Sequence, residues 1–181
     1  MKSLAEKKKK ENIVEYILYM YRMEDLLRAY RFSMDDIDQY FLAHAKISKE
    51  EKTASYQWLE NMAMEMEKHG VKKEGHLPRT QRYVDSLAKI HWELVKSDRH
   101  YFHIYQKAKP VVMDFIMAAG NKNPGHEVQV FVNGLYGLLL SRLNGKQVPP
   151  EMSKAAEVFG EALGYVNLVY MSRQMERKFK S

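Results

Sequence analysis

The stretch EVQVFVNGLYGLLLSRL, Glu127–Leu143, decides the fold class. At ~100° per residue, Val128, Phe131, Val132, Leu135, Tyr136, Leu138, Leu139 and Leu143 cover a broad arc of a helix. A helix that is apolar on most sides belongs at the centre of a helical fold. Gly134, Gly137 and Ser141 make a narrow strip of small residues on the other side, which admits a close neighbour. Arg142 projects inside the apolar arc, and packing gives no reason for it there.

Upstream of this stretch, residues 120–125 (GNKNPG) read as a loop. Before the loop, helical spacing of Tyr101, Phe102, Tyr105, Ala108, Val112, Phe115 and Ile116 predicts a helix over 99–119. Pro110 lies inside it and predicts a kink or split near Ala108, because proline removes one helical hydrogen bond and clashes with the preceding turn. Tyr83, Val84, Leu87, Ile90, His91, Leu94 and Val95 line a helix over 79–96, preceded by the polar connection GVKKEGHLP at 70–78. Ser48 followed three residues later by Glu51 has capping-box spacing and opens a helix to about His69. Ser33 caps a shorter one to about Ala45. Ile13, Tyr16, Ile17, Met20, Tyr21, Met23, Leu27 and Tyr30 share a wide face of a first helix over 6–30, broken at Arg31-Phe32-Ser33. Downstream, Asn144-Gly145 ends the central helix, and Pro149-Pro150 begin a last one that runs to about Lys178. The valines fall at helical spacing, and no stretch reads as a strand. The expected fold is all-α: one compact domain over 1–181, a bundle of six to seven helices without a β-sheet.

The formal charge of +6 is not spread evenly. Residues 1–10 hold five Lys and one Glu, and 173–181 hold four Lys/Arg and one Glu, so the chain between the two ends is nearly neutral. A nucleic-acid-binding domain carries its basic face on the folded body, so composition argues against nucleic acid beyond a weak association through the tails. The tails, 1–8 and 176–181, are expected to fray. There is no Cys, which excludes disulfides and thiolate chemistry. Lys7–Lys10 before Ile13–Met20 is not a signal peptide, because Glu11 and Glu15 interrupt the apolar part and no cleavage site follows. No apolar run approaches the ~18 residues of a membrane helix, so the expectation is a soluble cytoplasmic protein with no membrane partner.

Three phrases carry a resemblance: ENIVEYILYMYRMEDLLRA at 11–29, GHL at 75–77 ahead of a helix with the Ile90-His91 pair, and GLYGLLLSRLNGK at 134–146. Their order resembles an uncharacterised bacterial family of about this length, known only as a domain of unknown function. The resemblance spans nearly the whole chain and implies an all-helical bacterial cytoplasmic protein. It implies no activity, substrate or catalytic residue.

Polar residues on apolar faces are the candidates for function. Glu24 falls near the middle of the arc formed by Ile13, Ile17, Met20 and Leu27, where a carboxylate needs a partner or water. Arg28 is one turn on, Asp25 stands at the rim, and Arg142 is the opposite charge with the same problem on another core helix. A buried Glu24–Arg142 bridge would explain both. His91 projects among Val84, Leu87, Leu94 and Val95, either as a core histidine with a hydrogen-bond partner or as a base lining a pocket. Tyr105 and Tyr136 are candidate pocket walls. His100 and His103 have the spacing of a metal pair but project on the polar side of their helix, and no His has Glu three residues before it. No metal, cofactor or catalytic residue is therefore expected, and no phosphate loop, dinucleotide fingerprint or nucleophile elbow occurs.

The leading expectation is a non-enzymatic helical protein acting through protein contacts. It would pair as a homodimer through the last helix, where Gly160, Gly164, Leu168, Met171 and Met175 form a second, weakly apolar strip. The alternative is a small-molecule-binding bundle anchored by Glu24, Asp25, Arg28, His91, Tyr105, Tyr136 and Arg142.

Overall fold

A computed structural model of the protein describes residues 1–120 and 123–180. Among the described residues there are eight α-helices, one π-helical turn and no strand. The helices are α1 (Lys2–Glu11), α2 (Ile13–Ala29), α3 (Met34–Ile37), α4 (Lys49–Lys68), α5 (Pro78–Ser97), α6 (Arg99–Ala118), α7 (Glu127–Leu143) and α8 (Pro150–Lys180), with the π-turn over Asp38–Leu42. The chain is all-α, as the periodicity requires. Two compact units divide it, Met1–Arg82 and the chain from Tyr83 onward, with the boundary inside α5.

In the first unit α1, α2 and α4 pack on one another. Ile13, Ile17, Met20, Tyr21 and Leu27 of α2 are buried, as are Leu59, Met62 and Met66 of α4. The expected first helix, 6–30, is two helices, which takes the count past six to seven. Asn12 interrupts it with an extended backbone (φ −155°, ψ 108°). Its side chain accepts the Glu15 N–H at 3.0 Å, and its own N–H reaches the Lys8 carbonyl at 2.7 Å. One asparagine thus closes α1 and caps α2. Residues 2–8, expected to fray, belong to α1. Ala5 is buried, and the Met1 amino group and Ser3 Oγ (2.8 Å) donate to Glu51 Oε1 on α4. Hydrogen bonds from these two groups hold the Glu51 carboxyl at about 2.

The break at 31–33 is as expected, and its means is unusual. Arg31 and Phe32 both take the left-handed conformation, φ 52° and 63°. The Phe32 N–H bonds the Leu27 carbonyl at 2.8 Å, which closes the end of α2 despite the steric cost to residues with a Cβ. The helix expected over 33–45 starts at its Ser33 cap but widens into the π-turn after Ile37.

In the second unit α6, α7 and α8 pack on one another. The bounds of α7 are those read from the sequence, and Val128, Val130, Phe131, Val132, Tyr136 and Leu138 are buried along it. Its last turn leaves the core. Leu143 is half exposed, and Arg142 is exposed beside the carbonyl end of the helix, where a cation is favoured. Arg142 is therefore not the buried charge that its angular position suggested. Pro110 does not split α6, which runs unbroken through it. Proline leaves the Gln106 carbonyl without its helical donor, and both residues are exposed, so water can serve instead. Of the 120–125 loop, Asn121 and Lys122 lie outside the described residues, as does Ser181 of the C-terminal tail; residues 176–180 continue α8.

The small-residue strip of α7 has one working member. A Cβ at Gly134 would stand 2.7 Å from the ring of Phe159, which is fully buried on α8. At Gly137 it would meet nothing within 4 Å. Gly134→Ala is expected to lower stability by ~1–3 kcal/mol by overpacking. Gly137→Ala is expected to raise it by up to ~1 kcal/mol, since glycine weakens a helix interior. Urea unfolding midpoints of the two variants check both signs.

Candidate functional site

The polar candidates fall into two groups, one in each unit. In the first, Glu24 is fully buried on α2. His76 Nδ1 lies 2.7 Å from its Oε2, and the Leu77 N–H donates to its Oε1 at 3.1 Å. The His76 ring stacks on Tyr21 with centroids 3.3 Å apart. One turn on, Arg28 pairs with Asp25 at 2.8 Å and donates to the carbonyls of Val71 (2.9 Å), Lys72 (3.2 Å) and Gly75 (2.5 Å). Lys72 Nζ in turn sits 4.8 Å from the ring centre of Phe32.

This is a clamp. The connection 70–77 has no regular structure to satisfy its backbone, and one face of α2 supplies the missing partners. Arg28 takes carbonyls and Glu24 takes an N–H, which matches each side chain to the only role its charge allows. The Glu24 carboxyl is engaged at both oxygens by this connection, and Arg142 is exposed, so the expected buried bridge between them is replaced by Glu24–His76/Leu77.

In the second unit His91 is fully buried on α5. Its Nδ1 is 2.6 Å from the Tyr101 hydroxyl and its Nε2 3.3 Å from Glu127 Oε2. Tyr105 donates to Glu127 Oε1 at 3.0 Å. The imidazole edge meets the rings of Trp92, Tyr105, Tyr101 and Phe131 at centroid distances of 4.8, 5.1, 5.6 and 5.7 Å. Three helices build this cluster. Tyr101 and Tyr105 are one turn apart on α6, and Glu127 is the first residue of α7, where helix-end N–H groups favour a carboxylate.

The hydroxyls define the direction of the hydrogen bonds. Burial pushes the Tyr101 and Tyr105 phenols well above their ordinary range, with Glu127 adding to the rise, so both keep their protons, and Tyr105 donates to Glu127. Burial alone would raise the Glu127 carboxyl, but the bonds from His91 and Tyr105 and the charges of His91 and Lys109 outweigh it, and its value lies below 4.5. Glu127 therefore accepts, from Tyr105 and from His91 Nε2, while His91 Nδ1 is bonded to the Tyr101 hydroxyl. Each of these polar atoms has a partner. Both imidazole nitrogens are occupied, so neither is left to take a proton from a substrate in this arrangement.

Of the remaining candidates, Tyr136 is buried on α7, about 13 Å along the axis from Glu127 at 1.5 Å per residue. His100 and His103 are exposed, and no group of three potential metal ligands occurs among the described residues. Surface depressions among the described residues include one lined by Asp38, Lys49, Lys52, Thr53 and Tyr56 and another by Ala29, Tyr30, Arg31, Asp36 and Tyr40. None of the candidate residues lines either.

Sequence reasoning missed His76, Leu77, Tyr101 and Glu127 as members of these clusters. The Tyr101/Tyr105 pair was visible as two hydroxyls on one helical face. His76 and Glu127 sit 52 and 36 residues from the groups they bond, a separation that no local pattern spans.

A family model described as a domain of unknown function (DUF4924) matches residues 2–177. No curated protein and no solved structure matches the chain. No described helix is long and apolar enough to cross a membrane.

Proposed function

The chain belongs to the DUF4924 family, and from that premise we propose that it works through protein contacts rather than catalysis, with a second copy of itself as the partner of α8. The single observation that carries this reading is the outer face of α8. Leu168 is 68%, Met175 57% and Phe179 90% exposed, on a helix whose inner face holds the buried Ala155, Phe159, Ala162 and Val166. Large apolar side chains in a row on one helix are costly in water and mark an interaction surface. The two buried polar clusters support the reading from the other side. Their hydrogen bonds close on themselves, as groups that hold a fold together do. We place the protein in a bacterial cytoplasm on the strength of the resemblance in its three sequence phrases.

Light scattering tests the proposal. The full chain is expected at twice its 21.3 kDa mass, and Leu168→Glu with Met175→Glu at the monomer mass with unchanged helical circular dichroism. Both positions are exposed, so the substitutions cost the single copy little. A wild-type mass of one chain at the highest concentration reached would overturn self-association.

A further inference from the structure

We infer that two copies pair α8 against α8 in antiparallel register about an axis beside Leu168, each copy receiving the other's methionines over its own glycines. The inference rests on the self-association proposed above and specifies its geometry. At ~100° per residue, Gly160, Gly164, Leu168, Met171, Met175 and Phe179 fall within an arc of about 100°. Along that arc the side chains change in size. The first half is notched. A Cβ at Gly164 would meet nothing within 4 Å, and at Gly160 only the tip of Leu135 at 4.0 Å. The second half protrudes through Met175 and Phe179, with Met171 half-buried between Leu168 and them.

A surface with notches at one end and protrusions at the other complements itself only when reversed. In an antiparallel pair whose axis passes between Asn167 and Leu168, Met171 of the second copy lies over Gly164 and Met175 over Gly160. The flexible thioether side chain suits such a notch. A parallel pair would set glycine on glycine and methionine on methionine, leaving a gap at one end and a collision at the other.

Charge along the same arc selects the same direction. Glu157 lies on it at the notched end, as does Glu161, which Lys107 pairs at 3.1 Å within its own copy, and Lys178 lies on it at the other. Reversal brings Glu157 of one copy to Lys178 of the second. Parallel pairing would bring Glu157 to Glu157 and Lys178 to Lys178, which like charges oppose. The two arguments are independent, since one concerns volume and the other sign. A two-fold axis through such a pair makes the interface isologous and closes it at two copies.

The absence of native cysteine makes the register directly readable. A disulfide needs Cβ atoms ~3.5–4.5 Å apart, so mild oxidation of single-cysteine full-length chains reports which positions face each other. Leu168→Cys, beside the axis, is expected to convert to covalent dimer. Met175→Cys alone is expected to stay uncrosslinked. A mixture of Gly164→Cys chains and differently tagged Met171→Cys chains is expected to give the mixed covalent dimer in excess over either like pair. Covalent dimer from Met175→Cys alone, with no mixed product, would overturn the antiparallel register in favour of a parallel one. Light scattering of the same unoxidised chains separates the two failures. A dimer without the expected crosslinks sinks the register, and a monomer sinks the self-association on which it rests.

Discussion

Glu24→Ala is expected to lower the stability of the protein by ~2–4 kcal/mol, because it strands a buried donor as well as removing an acceptor. Glu24 is fully buried, and the Leu77 N–H that it accepts leads directly into the first turn of α5. Without the carboxyl group that N–H has no water to turn to, and the His76 ring loses the partner that orients it against Tyr21. Hydrogen exchange gives the specific readout: protection of the Leu77 amide is expected to collapse in the variant. Glu24→Gln keeps an acceptor oxygen of the same reach, so it is expected to lose less stability and to retain part of that protection. Arg142→Ala is the contrast. An exposed side chain at a helix end is expected to change stability by no more than ~0.5 kcal/mol. An unfolding curve for Glu24→Ala that overlays the wild type would show that the 70–77 connection holds without its clamp.

His91→Ala is expected to cost ~3–5 kcal/mol, by adding a cavity to two broken hydrogen bonds. The imidazole fills a space bounded by four rings; Trp92 is exposed, but Tyr101, Tyr105 and Phe131 are buried and have little room to close the gap. The loss depends on pH with a sign that follows from Glu127. Its folded pKa lies below the ordinary 4.5, so its ionised form contributes stability that is fully present above that value. The contribution is lost as the pH falls through the folded pKa. In His91→Ala one of the bonds that lowers this pKa is missing, so less remains to be lost. The gap between wild type and variant is therefore expected to narrow as the pH falls below 4.5. Thermal unfolding of both proteins across an acid pH series measures it. A gap that widens in acid would mean that the bond from His91 does not favour the ionised carboxylate.

Both candidates were legible in the sequence as anomalies, and neither was legible as a cluster. Helical periodicity places Glu24 and His91 on buried faces because the 3.6-residue repeat depends only on neighbours along the chain. The same periodicity placed Arg142 on the apolar arc and failed there. Angular position states which way a side chain points, and it does not state where along its length a helix stops being covered. The last turn of α7 carries Leu143 half exposed as well, so the failure belongs to the whole turn rather than to one charge. The division of the first expected helix at Asn12 shows the opposite case. No apolar residue stands between Ala5 and Ile13, so the spacing is silent across 12, and there the asparagine side chain competes locally for the backbone and wins.

By itself the sequence determined the helical class, the bounds of α7, the caps at Ser33 and Ser48, and the two polar residues whose burial needs an explanation. All of these depend on interactions within a few residues, where spacing and side-chain type carry the energy. Only the tertiary structure decided what Glu24 and His91 bond to. Their partners, His76 and Leu77 for the one and Tyr101 and Glu127 for the other, reach them from other segments of the chain. Burial makes an unpaired polar group so costly that some partner had to be there. Which partner it was depended on how the helices and the 70–77 connection came together in each unit.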